Sequence, residues 1–328
     1  MKRIIIFMLA VSLLGMCKTS ASKTEGLLWK ISGNGLENPS YLFGTYHTML
    51  PFFLEDVKGF DKAFNTVKQL VVEIDFMEAQ QSEYTEKMFL PKGITYSDLL
   101  SENDYGTLDS VLQRYMNVSA DKMNMSPGYV NYFIQLMYFQ TEAEKWKNDK
   151  NILSNPLQEG TFDEIIYKMA VEKAYPVVGL ETNKDRRDLG LLKAIGLESD
   201  DELSVQVEKL IKGIRLFNTP RMHELITLRV EFDLAYSEQQ ITLLESTNNR
   251  IIEFMKEHAL ELGMDSADSI DEQNEVTLKK RNLLWIEKIP ALIQDQPSLI
   301  AVGAVHLVGE YGLITLLRKE GFVVEPIN

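Results

Sequence analysis

"SLIAVGAVHL", residues 298–307, is a run of small and branched apolar residues that closes on Gly-Ala-Val-His. "SYLFGTYH", residues 40–47, has the same form, an apolar run and then Gly-x-x-His. Two of the chain's four histidines, His47 and His306, follow a strand and a glycine in this way. Short unbroken apolar runs bounded by turn residues read as strands buried on both faces, as in a parallel sheet. "LLWKISG" (27–33) precedes the first copy across the Asn/Gly-rich turn "NGLENP" and predicts a strand paired with it. "QLVVEIDF" (69–76), "YPVVGLE" (175–181) and "FVVEPI" (322–327) complete the predicted strands.

Helical spacing fills the gaps. It predicts helices over "FLEDVKGFDKAFNTVKQ" (53–69), "DEIIYKMAVEKA" (163–174) and "GEYGLITLLRKEG" (309–321). Between about 78 and 168, and again from 183 to 293, the pattern is helical, with breaks near "FNTP" and "ELGMDSADS". The expected fold is therefore α/β. Its central sheet comes from strands near both chain ends, and a large helical insertion occupies the middle of one domain over 22–328.

Composition bounds the function. A hydrophobic fraction of 45% supports a real core and excludes disorder or coiled coil for the whole chain. "MKRIIIFMLAVSLLGMC" carries two basic residues and then an apolar run too short to span a bilayer, which is a signal-peptide pattern over 1–21. The expected location is exported, periplasmic or secreted. Membrane attachment is expected only if Cys17, the single cysteine, is lipidated, the minority alternative being an envelope lipoprotein. Residues after 21 carry 31 basic against 48 acidic side chains, a net −17 that disfavours nucleic acid as a partner. The substrate, a peptide or a small molecule, is not identified by these features.

Four side chains stand at or just past the ends of predicted strands: His47, Glu73, Glu181 and His306. In an open α/β sheet, ligands bind beyond the carboxyl ends of the strands. Two imidazoles and one or two carboxylates suit a divalent transition metal. A second carboxylate would act as general base or orient a histidine, and which of Glu73 and Glu181 is ligand and which is base stays open. Each residue also has a bland reading: Glu73 as a strand exit beside Asp75, and Glu181 as an acid at a helix start. No HExxH, Walker loop, CxxC or GxSxG motif occurs, and His223 and His258 read as helix-surface residues.

Taken in order, "LLWKISGNG", "SYLFGTYH", "VVEID", "GTFDEIIYKMAVEKAYPVVGLET", "RNLLWIEKI" and "IAVGAVHLVGEYGLITLLRKEGFVV" resemble the TraB/GumN family, the bacterial relatives of the Tiki proteins. The resemblance runs from about Leu27 to Val324. It implies an α/β fold of the erythromycin-esterase and ChaN-like group, and a metal-dependent hydrolase, a peptidase first. His47, His306, Glu73 and Glu181 would be the metal set, with manganese or cobalt favoured over zinc. Arg281 is implied as a catalytic residue, serving an oxyanion or a substrate carboxylate. The alternative is a non-catalytic envelope protein that holds a metal or haem in the same cleft. The chain departs from the family's pattern at Ala174 and at Asn183 to Arg186.

Overall fold

The computed structural model describes residues 25–47, 49, 52–80, 87–146 and 161–327. The expected signal peptide, Cys17 and residues 147–160 of the predicted helical stretch lie outside these residues. Six strands form one sheet: β1 (Leu28–Ser32), β2 (Ser40–Thr45), β3 (Gln69–Val72), β4 (Val177–Gly179), β5 (Ser298–Gly303) and β6 (Val323–Pro326). Their spatial order is β4-β3-β5-β2-β1-β6. β4, β3, β5 and β2 run parallel, while β1 is antiparallel to both β2 and β6. The expected α/β fold, with its sheet drawn from both chain ends, is what the chain adopts.

β2 is buried along its whole length and β5 along all but its last residue, as strands covered on both faces must be. Leu42, Phe43, Ile300 and Val302 are fully enclosed with Trp29, Phe162 and Trp285 in the sheet core. The Gly-x-x-His copies therefore sit on adjacent parallel strands, with Thr45 opposite Gly303. β5 ends at Gly303, and Ala304–His306 turn into a short 3-10 helix.

This turn packs directly on β2. A Cβ added to Gly44 would lie 3.0 Å from both Cα and Cβ of Ala304 and 3.1 Å from Leu307 Cδ2. Glycine is thus what lets the turn carrying His306 approach the strand carrying His47.

The predicted helix at 53–69 is two helices, Phe53–Asp56 and Phe60–Thr66. Val57 is extended and Gly59 takes φ 81°, so the chain turns between them. The strand predicted at 69–76 ends at Val72, and Asp75 Oδ1 accepts the Met77 N–H at the start of a new helix. The middle is helical as expected. Glu102–Met116, Pro127–Trp146 and Leu203–Arg215 enclose a second apolar core. Pro220–Ser237 and Ile241–Glu257 enclose a third, where Tyr138 stacks on Phe217 at 4.0 Å. Thr219 caps Pro220–Ser237 at its N-terminus. At the other end of that helix, Tyr236 Oη donates to Gly44 O at 2.8 Å and ties the helical part to β2. Among the described residues no helix is long and apolar enough to cross a membrane.

Gly44→Val is expected to destabilise the fold by about 1–3 kcal/mol through overpacking against Ala304 and Leu307. Urea denaturation measures it, and an unchanged midpoint would refute the close-packing argument.

Candidate functional site

The carboxyl ends of the four parallel strands share one edge of the sheet. His47 follows β2 by two residues, Glu73 follows β3 by one, Glu181 follows β4 by two, and His306 closes the turn after β5. All four residues read from the sequence are therefore delivered to the same rim. What each meets there differs.

Glu181 is wholly buried. Its N–H continues the β3–β4 ladder to Glu73 O at 2.9 Å, and Thr182 then caps the helix Asn183–Asp188. The carboxylate turns inward. Oε2 accepts from Arg281 Nε at 2.9 Å and Trp285 Nε1 at 3.2 Å, and Oε1 accepts from Arg281 NH2 at 2.8 Å. It is a buried ion-pair partner, and neither oxygen is left open to water.

Arg281 is the centre of the network. Besides Glu181, it donates from NH2 to Glu73 Oε2 at 2.6 Å, and from NH1 to His306 Nε2 at 3.2 Å and Thr277 O at 3.4 Å. All five of its N–H donors are engaged within the protein. The guanidinium also lies over the Trp285 ring, 4.6 Å from its centroid. Burial opposes its charge, but Glu73 and Glu181 more than restore it. Serving a substrate oxyanion would require it to release one of these partners.

Arg281 reaches this place through a local irregularity. Glu275–Lys280 form a π-helix that runs straight into the α-helix Arg281–Ile286. Consecutive Arg281, Asn282 and, one turn on, Trp285 all face inward. π-turns inside helices frequently accompany functional sites.

Asn282 fixes His306. Its Nδ2 donates to His306 O at 3.0 Å and Tyr311 O at 2.8 Å, so its Oδ1 is the acceptor facing His306 Nδ1 at 2.7 Å. The hydrogen-bond network assigns the proton to Nδ1 and leaves Nε2 as the acceptor for Arg281. Burial holds the ring neutral, and with Arg281 opposing Glu73 its pKa is pushed down to about 3. A cavity of about 440 Å³, lined by Asp271, Glu275, Val305 and Tyr311 among others, reaches the same Asn282.

Glu73 is the cluster's partly open carboxylate, with 17% of its side chain accessible. Its Oε1 accepts the Gly303 N–H at 2.8 Å and lies 3.9 Å from His306 Nε2. Burial works against its ionisation. Arg281, with His306 and His47 behind it, outweighs burial and holds the carboxyl well below the usual range. Such a carboxylate is a weak base and a strong fixed anion.

His47 stands apart. Its side chain is 60% accessible, and its Nδ1 lies 2.5 Å from Asp163 Oδ2. Asp163 also accepts from Thr45 Oγ1 at 2.5 Å. Thr161 caps the helix Phe162–Glu172, and the Phe162 N–H donates to His47 O at 3.0 Å, which brings the first helical turn against the histidine. The charge of Asp163 is the largest influence on His47 and raises its pKa to about 9. Solvent at the exposed ring screens this attraction.

The donor set was tested for the implied divalent ion. Arg281 stands between Glu73, Glu181 and His306, and an N–H already faces the His306 lone pair that a metal would need. Among the described residues no three His, Cys, Asp or Glu side chains form a metal-holding group. As arranged, these residues do not fit a resident ion unless the guanidinium moves.

Asp163, Asn282, Trp285 and Arg186 join the site with no role read for them in the sequence, although the first three lie in segments that carry the family resemblance and Arg186 in the stretch that departs from it. His223 and His258 stay outside the site. His258 packs on Phe254 and bonds Glu261 at 2.9 Å.

Two outcomes are expected from this geometry. Arg281→Met leaves two buried carboxylates without a partner and costs about 3–5 kcal/mol in urea unfolding, with Arg281→Lys recovering part of it. His47 titrates toward about 9 by NMR, and Asp163→Asn brings it down toward 6.5. Because the folded pKa is raised, the stabilisation is complete below 6.5 and is lost as pH rises through about 9. His306 acts in the opposite sense, its lowered pKa removing stability as pH falls from 6.5 toward about 3.

No solved structure matches the chain. Over 206 aligned positions the chain is 24% identical to polyamine-modulated factor 1-binding protein 1 of Rattus norvegicus, covering 58% of this chain and 20% of that protein. The chain thus spans about a fifth of that relative's length. The model of the TraB/PrgY/gumN family matches residues 27–326, from β1 to the end of β6. With its paired Gly-x-x-His strands and the buried Glu-Arg-Glu cluster between them, the chain belongs to the TraB/PrgY/gumN family.

Proposed function

We propose that the chain is an exported hydrolase, a peptidase first, working at the carboxyl rim of β2, β3, β4 and β5. The observation that carries this reading is the His47–Asp163 pair at 2.5 Å. Asp163 holds His47 through Nδ1, so Nε2 is the nitrogen left for proton transfer at an accessible position. In hydrolysis, neutral His47 takes a proton from the attacking water through Nε2, and Asp163 stabilises the imidazolium that forms. Glu73, fixed by Arg281 and the Gly303 N–H, adds a negative charge that favours the imidazolium. The buried Glu181–Arg281–His306 group keeps that floor rigid.

The family resemblance implies a divalent ion, manganese or cobalt; His47, His306, Glu73 and Glu181 would hold it only if Arg281 gave up its bonds to the last three, and it would then supply a bound water of lowered pKa.

The test uses purified protein, stripped with a chelator and then supplied with manganese, cobalt or zinc, against a peptide library read by mass spectrometry. His47→Ala and Glu73→Ala are each expected to lower kcat/KM by about a hundredfold or more. Hydrolysis that survives both substitutions would sink the reading. Activity that needs manganese or cobalt would support the metal-dependent form, and full activity after chelation would remove it. Because His47 acts in its neutral form, kcat/KM is expected to climb with pH toward about 9, and Asp163→Asn to move that limb downward. A limb unmoved in Asp163→Asn would take the base role away from His47.

A further inference from the structure

We infer that Arg186, rather than Arg281, is the arginine that receives a substrate carboxylate at this site. The inference rests on the hydrolase reading for its setting and on donor counting for its substance. Every N–H of Arg281 already has an acceptor in the protein. Arg186, on the helix Asn183–Asp188 that follows Glu181, is the opposite case.

Its Nε lies 3.4 Å from Glu181 Oε1, close enough for an ion pair, yet that buried N–H has no hydrogen-bond partner. The oxygen it faces already accepts from Arg281 NH2. Its side chain is 23% accessible, so the head is neither sealed inside nor free in solvent. It sits on the Oε1 side of the Glu181 carboxylate. Glu181 Oε2 faces inward to Trp285, whereas Oε1 is joined through Arg281 NH2 to the partly open Glu73.

Glu73 and Glu181 against Arg281 and Arg186 leave the floor of the site neutral, so recognition rests on the planar fork of donors that Arg186 offers a carboxylate. The ligand class is therefore a substrate with a carboxylate near the scissile bond, such as a free peptide C-terminus or an acidic side chain.

The binding probe is glutarate, with its neutral diamide as control, titrated calorimetrically into wild type, Arg186→Gln and Arg186→Lys. Wild type is expected to bind glutarate and not the diamide. Arg186→Gln is expected to bind at least about tenfold more weakly, with Arg186→Lys in between. Equal binding in Arg186→Gln, or no glutarate binding by wild type, would overturn the inference. A second readout uses peptides paired as free acid and amide. Arg186→Gln is expected to raise KM for the acid more than it changes kcat and to erase the preference for the acid. Glutarate binding through Arg186 with no hydrolysis of any peptide would overturn the hydrolase reading and leave the carboxylate site standing. Hydrolysis indifferent to Arg186 would do the reverse.

Discussion

A single guanidinium, buried among two carboxylates, an imidazole and an indole, is the interaction on which this site depends. Arg281 joins β3 through Glu73, β4 through Glu181 and the turn after β5 through His306. Ions of this kind are costly to bury, and the cost is offset only when geometry is close and every donor is met. Here all five donors are met, and the carboxylate of Glu181 takes two of them as a fork. The clamp also sets the charge states around it. Glu73 stays ionised despite its burial, and His306 stays neutral.

The two histidines of the repeated motif consequently have separate characters. His306 is sealed in, its tautomer set by Asn282, its free lone pair facing Arg281. His47 is accessible and held by an aspartate. Adjacent parallel strands bring both to the same rim, but the partner that each meets decides whether it is scaffold or proton carrier. Gly44 belongs to this arrangement as much as either histidine, because the His306 turn lies against it.

Much of this was legible before any coordinates. The strands and the strand-end positions of His47, Glu73, Glu181 and His306 follow from apolar runs that close on a polar residue. Burial on both faces of a strand leaves that mark locally. The break at Gly59 was not legible, because a glycine in a helical pattern is compatible with a turn or a continuing helix. Nor was the π-helix at Glu275–Lys280, which has no period of its own in the sequence.

The sequence by itself determined which residues stand at the carboxyl ends of the strands, since that depends on short unbroken apolar runs that close on a polar residue. Only the tertiary structure decided what they do there. Arg281 meets Glu181 across 100 residues and Glu73 across 208, and Asp163 meets His47 across 116. Ion pairs and hydrogen bonds act over a few ångströms of space and leave no spacing in the chain. A strand-end glutamate therefore reads the same in sequence whether it faces water, a metal ion or a buried arginine.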